Sequence, residues 1–123
     1  MGVHRDPNQS RWELVSIDGA SPVAKELDKL PDHVVAELMG TCADFENEVP
    51  LPAGTYKKLT NSELHQLKCD VSGQAFRLLF AIEGDKKILL ALHAFEKKSK
   101  KGIKTPPKHE RTANRRLKDW RKA

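Results

Sequence analysis

The chain has 123 residues, 38% of them hydrophobic and 32% charged, with a formal net charge of +5, a balance that supports one compact domain with a modest core and excludes wholesale disorder. No apolar run approaches the roughly 18 residues a membrane helix needs, and the opening MGVHRDPNQSRW lacks the apolar centre of a signal peptide, so a cytoplasmic protein is expected. Cys42 and Cys69 show no metal-ligand spacing and are expected as reduced, buried residues. Residues 1–123 are taken as a single domain with residues 1–10 as a flexible lead.

The charge is unevenly spread. Residues 1–94 carry 10 Lys/Arg against 14 Asp/Glu, a balance of −4, whereas residues 95–123 carry 12 against 3, a balance of +9. Clustered cations supply the salt-dependent part of nucleic-acid affinity by releasing counterions from phosphates. A solvated helix end would carry the same charge.

In chain order, RWELVSI at 11–17 alternates with the period of a strand. Ser21-Pro22 then offers a capping hydroxyl followed by a proline at the first helical position, and Val23, Leu27 and Leu30 continue at helical spacing. Pro31 opens a second helix whose Val34, Leu38, Cys42 and Phe45 form one stripe, flanked by Val35 and Met39. The two helices are expected as an antiparallel hairpin covering a sheet. PLPAG at 50–54 is a connector. Three strands follow at 63–69, 74–82 and 86–96, joined by the turn signals DVSG and EGD as a consecutive meander. Gly102, Pro106 and Pro107 make residues 100–108 a loop, and residues 108–122 a final basic helix. The expected class is α+β, with about four strands, an N-terminal helical hairpin and a C-terminal basic helix.

Alternation sorts the strand residues by face. Gln66 and Lys68, Arg77, and His93 and Lys97 fall on the less apolar faces of their strands, with Leu89 and Ala91 on that of the last. If the register brings these faces together, Gln66, Lys68, Arg77, His93 and Lys97 line one open, basic surface. His65 shares the opposite face with Leu67 and Cys69, so it is expected as a core-side or edge histidine. His4, His33 and His109 have no evident partners.

FRLLF, then ILLALHAFEKKSKKGIKTPPKHE and RLKDW, resemble the RelE/HigB-type toxins of bacterial and phage toxin–antitoxin modules. The resemblance covers most of the chain. It rests on Arg77 within an apolar strand, on His93-x-Phe95-x-Lys97-Lys98, on Lys104-Thr105-Pro106 and on the basic last helix, in the order strand, two helices, three strands, helix. It implies a RelE-like fold, cleavage of messenger RNA in the ribosomal A site, contacts with ribosomal RNA, and silencing by a cognate antitoxin of helix-turn-helix type. Three features depart from the pattern: Gln66-Leu67-Lys68 where relatives often have Glu-Leu-Arg, Phe80 where an aromatic hydroxyl is often found, and a longer stretch, Ser99 to Thr105, before Pro106.

Metal-independent RNA cleavage uses the 2′-hydroxyl as internal nucleophile. It needs a base, cations for the phosphorane and an acid for the leaving oxygen. Arg77, on a rigid strand, matches a phosphate by paired N–H bonds. Lys97 and Lys98 end their strand, where neighbouring cations such as Lys68 can lower a lysine pKa enough for general-base work. His93 can act as acid or base, or simply hydrogen-bond within the structure. The catalytic candidates are therefore Arg77, Lys97, His93, Lys68 and Lys98. Gln66, Lys100, Lys101, Lys104, Arg111, Arg115 and Arg116 are the candidate RNA contacts, and Trp120 is expected to pack the last helix on the sheet. No metal or cofactor is expected. A non-catalytic RNA- or partner-binding protein of the same fold and a gyrase-poisoning relative are the competing readings.

Overall fold

The structure, a computed structural model, describes residues 12–17, 19–71, 73–84, 88–97 and 107–122. The expected flexible lead at 1–10 and most of the expected loop at 100–108 lie outside these residues. The described elements are β1 (Trp12–Leu14), α1 (Pro22–Asp28), α2 (Asp32–Glu46), β2 (Tyr56–Lys58), β3 (His65–Val71), β4 (Gln74–Glu83), β5 (Ile88–Lys97) and α3 (Pro107–Lys122).

The helix signals act where the sequence puts them. Ser21 Oγ accepts the Ala24 N–H at 3.2 Å and Pro22 occupies the first turn of α1, satisfying one N–H and omitting another that would have no intrahelical partner. Pro31 precedes α2 in an extended conformation, and Asp32 stands in the first turn, where the helix dipole favours an anion. Val34, Leu38 and Cys42 of α2 are fully buried. α1 packs on β5, and α2 on β3 and β1.

The sheet has five strands in the order β1-β5-β4-β3-β2, antiparallel except for β1, which runs parallel to β5. The expected count was about four. The additional strand is β2, three residues directly after the proline-rich connector and too short for alternation to reveal. It pairs with the start of β3, and the Lys68 N–H donates to the Thr55 carbonyl at 2.9 Å to extend the ladder. Between β3 and β4, Gly73 takes φ +80°, which lets Val71 and Gln74 pair across a tight turn.

Two departures from the expected face sorting matter for function. A bulge falls between the Leu79–His93 and Phe80–Ala91 pairs, so β5 spends one extra residue there. His93, Phe95 and Lys97 keep the expected place on the Arg77 face, whereas Ala91 and Leu89 are brought opposite Phe80 and Ile82. Phe80 itself faces α2, its ring 5.3 Å from that of Phe45. In addition, α3 packs across β5 and β4 and buries Ala113 and Leu117. The polar face is thus roofed at the His93 end and is not the open surface the sequence suggested. Among the described residues no helix is long and apolar enough to cross a membrane.

Candidate functional site

Register builds the first part of the site. Lys68, Arg77 and Phe95 stand directly opposite one another on β3, β4 and β5, with Gln66, Leu79 and His93 as the next row and Lys97 opposite Ala75. β2 adds Lys57, paired with Gln66. Since facing residues on adjacent strands lie about 5 Å apart at Cα, Lys68 and Arg77 form a cationic array with Lys97 and Lys57 around them.

Arg77 is nearly buried, at 8% exposure. Its Nη1 donates to Asp70 Oδ1 at 2.7 Å and to the Phe76 carbonyl at 2.9 Å, which fixes the guanidinium. Asp70 also lies 3.9 Å from Lys68 Nζ and is itself half exposed. Lys97 is buried, and its ammonium is held below the ordinary lysine value by burial and by the nearby charges of Arg77, Lys57 and Lys68, with Asp70 opposing. A lysine so placed gives up its proton more readily than a surface one and sits among groups that attract phosphate.

Gln66, expected as an RNA contact, is instead buried at 5% exposure within its row of the sheet. Lys98, Lys100, Lys101 and Lys104 lie outside the described residues. Arg111 and Arg115 are exposed on α3, along with Lys118 and Lys122. Arg116, one residue further, is not: its Nη1 donates to Glu26 Oε1 and to the Leu92 carbonyl, both at 2.9 Å. It is an interior anchor and not a phosphate contact, because the helix turn that buries Ala113 and Leu117 also carries residue 116 inward.

The second part of the site centres on His93, which is 7% exposed. Its Nδ1 lies 2.7 Å from Glu26 Oε2, and its Nε2 lies 2.7 Å from His109 Nδ1. His109, which the sequence left without a partner, stacks on Phe95 with centroids 3.7 Å apart and planes 10° from parallel. Glu26 also accepts the Ala94 N–H at 3.0 Å, satisfying a donor of β5. Burial opposes ionisation of Glu26, but the hydrogen bonds from His93, Arg116 and Ala94 outweigh it and hold the carboxyl below its ordinary value. Burial, the adjacent His93 and Lys108 push His109 down to about 4, against the pull of Glu26.

Sequence reasoning thus missed Lys57, Asp70, Glu26 and His109. Lys57 went with the missed strand, and Asp70 was read as part of a turn. Glu26 had a signal: it is an acidic residue one position before the buried Leu27, on the side of α1 turned to β5. His65 is core-side as expected, 2.8 Å from Tyr56 Oη and stacked on Phe80. Trp120 is partly buried against the core.

The arrangement of sheet and helices is that of the RelE-type toxin fold. It is similar to a double-arginine mutant of the Escherichia coli toxin RelE in the free state, with a TM-score of 0.59 and 14% identity over 89% of this chain and 96% of that one. The toxin–antitoxin complex RelBE2 of Mycobacterium tuberculosis is more distant, with a TM-score of 0.48 and 18% identity over 72% and 96% of the respective chains. The chain belongs to the family described as phage derived protein Gp49-like (DUF891), whose profile matches residues 25–118. No curated protein matches it.

Proposed function

We propose that this protein is the toxin of a toxin–antitoxin module, of the HigB-like branch, acting as a ribosome-dependent and metal-independent mRNA endonuclease. The observation that carries the reading is the cross-strand pairing of Lys68 with Arg77 beside Lys97, whose proton affinity is lowered. In this reading Arg77 binds the scissile phosphate and stabilises the phosphorane, exchanging Asp70 for RNA as it does so. Lys97 takes the 2′-hydroxyl proton, with Lys68 and Lys57 keeping its neutral form accessible and Lys98 adjoining it in sequence. Lys100, Lys101, Lys104, Arg111 and Arg115 hold the mRNA and ribosomal RNA backbones. The cytoplasmic chain is silenced by a cognate antitoxin, a helix-turn-helix protein.

Expression should arrest growth, and Arg77→Ala combined with Lys97→Ala should relieve the arrest. Undiminished toxicity in the double variant overturns the site. The ion pair of Arg77 with Asp70 favours a second reading, a non-catalytic RNA-binding protein in which that guanidinium is structural. Intact RNA binding without transcript cleavage in a translating extract would select it.

A further inference from the structure

The cationic face supplies a base and a phosphate clamp, but it leaves the leaving oxygen without an acid. The second cluster adjoins it through one residue. Phe95 stands opposite Arg77 on the neighbouring strand, and the His109 ring lies flat on Phe95. Behind His109 runs a continuous chain of hydrogen-bonded polar atoms, His109 Nδ1 to His93 Nε2 and His93 Nδ1 to Glu26 Oε2, with 2.7 Å at each link. Arg116 Nη1, 3.3 Å from His93 Nδ1, braces Glu26 and the Leu92 carbonyl. A structural histidine needs one such partner. Here three titratable groups from α1, β5 and α3 are aligned in series, the middle one, His93, nearly buried and the two ends partly exposed. His109 Nε2 carries no hydrogen bond among the described residues.

Building on the endonuclease reading, we propose that His109 is a catalytic residue that protonates the leaving 5′-oxygen, resupplied with a proton through His93 and held by Glu26. The chain starts with His93 as an imidazolium, donating from Nδ1 to the Glu26 carboxylate and from Nε2 to His109 Nδ1. His109 is then neutral, with its proton on Nε2, in keeping with its lowered proton affinity. As the 2′-oxygen bonds to phosphorus, Lys97 takes the 2′-hydroxyl proton. The bond from phosphorus to the 5′-oxygen breaks, and that oxygen takes the Nε2 proton of His109. The His93 Nε2 proton moves to His109 Nδ1, leaving two neutral imidazoles, a 2′,3′-cyclic phosphate and a free 5′-hydroxyl. His93 and Glu26 are positioning residues, and neither touches the RNA.

The test uses ribosomes programmed with a short mRNA, in parallel with the same mRNA carrying sulfur in place of the 5′-oxygen at the cleaved linkage. Sulfur leaves without a proton. His109→Phe keeps the stack on Phe95 and removes both nitrogens. General acid catalysis contributes about 10²–10⁴-fold, so this variant should cut the ordinary mRNA at least ~100-fold more slowly than the native chain and cut the sulfur-substituted mRNA at a rate within several-fold of it. Glu26→Gln should show a smaller loss with the same rescue, while Lys97→Ala should be slow on both. Equal rates of native protein and His109→Phe on the ordinary mRNA overturn the proposal, as does an equal loss on both mRNAs, which marks a structural role. Failure of the native chain to cut either mRNA overturns the endonuclease reading itself, and this proposal with it.

Discussion

Glu26→Ala should destabilise the protein by about 3 kcal/mol. The Glu26 side chain is 20% exposed and its partners His93 and Arg116 are 9% and 14% exposed, so the ion pair is partly desolvated on both sides. Removing the carboxylate leaves the Ala94 N–H, the His93 ring and the Arg116 guanidinium without their acceptor. Hydrogen bonds to charged groups contribute about 1.5–3 kcal/mol each, and removing one partner of a buried pair costs about 3–5 kcal/mol. Residual exposure and the Leu92 carbonyl, which still holds Arg116, place the expected loss at the lower end. For a chain of this length, about 4 °C per kcal/mol makes that ~12 °C in the melting midpoint. Urea unfolding should show a lower midpoint at unchanged slope. In a double-mutant cycle with Arg116→Met, the two losses should fall short of additivity by at least about 1 kcal/mol. A loss under about 1 kcal/mol, or strict additivity, refutes the anchoring role. The sign with pH follows from the lowered carboxyl. The contribution of Glu26 is complete above its ordinary value of 4.5 and disappears as pH falls through the lower folded value, so the gap between native protein and Glu26→Gln should narrow only below pH 4.5.

Three further outcomes are expected. His109 is lowered from 6.5 to about 4, so between those values the unfolded chain binds a proton that the folded chain refuses, and stability should fall as pH drops through that window. Urea melts at pH 7 and pH 5 should show this fall in the native protein and a smaller one in His109→Phe; identical falls would contradict it. Cys42 and Cys69 are buried thiols pushed up to about 12, chiefly by burial, so iodoacetamide at pH 8 should leave the folded protein unmodified and add twice in urea, as read by intact mass. Arg111→Gln and Arg115→Gln should each lower the salt dependence of RNA binding by about one phosphate contact without moving the urea midpoint, whereas Arg116→Gln should move the midpoint. The reverse pattern would show that the inward and outward sides of α3 have been confused.

Much of this architecture could be read from local chemistry, because Ser21-Pro22, Pro31 and the alternation of the long strands act within a few residues of themselves. What could not be read depends on register. A one-residue bulge beside His93 decides that Ala91 meets Phe80 while His93, Phe95 and Lys97 stay with Arg77, and no periodicity of a single strand encodes it. Plain alternation along β4 recasts one departure from the toxin pattern. Phe80 lies on the α2 side of the sheet, so an aromatic hydroxyl at that position would not reach the cationic face, and its absence says nothing about proton transfer there. The cations of the site were visible because Lys68, Arg77 and Lys97 interrupt apolar strands. The proposed acid relay was not, since Glu26, His93 and His109 are separated by 67 and 16 residues, and Glu26 and His109, unlike His93, each alone look like ordinary polar residues. The charge asymmetry of the chain gains a physical meaning from this. The acidic N-terminal part sends one carboxylate across to β5 and α3, where it is spent on a histidine and an arginine of the basic end. That contact ties the helix bearing the proposed phosphate-binding stripe to the strand bearing the proposed catalytic groups.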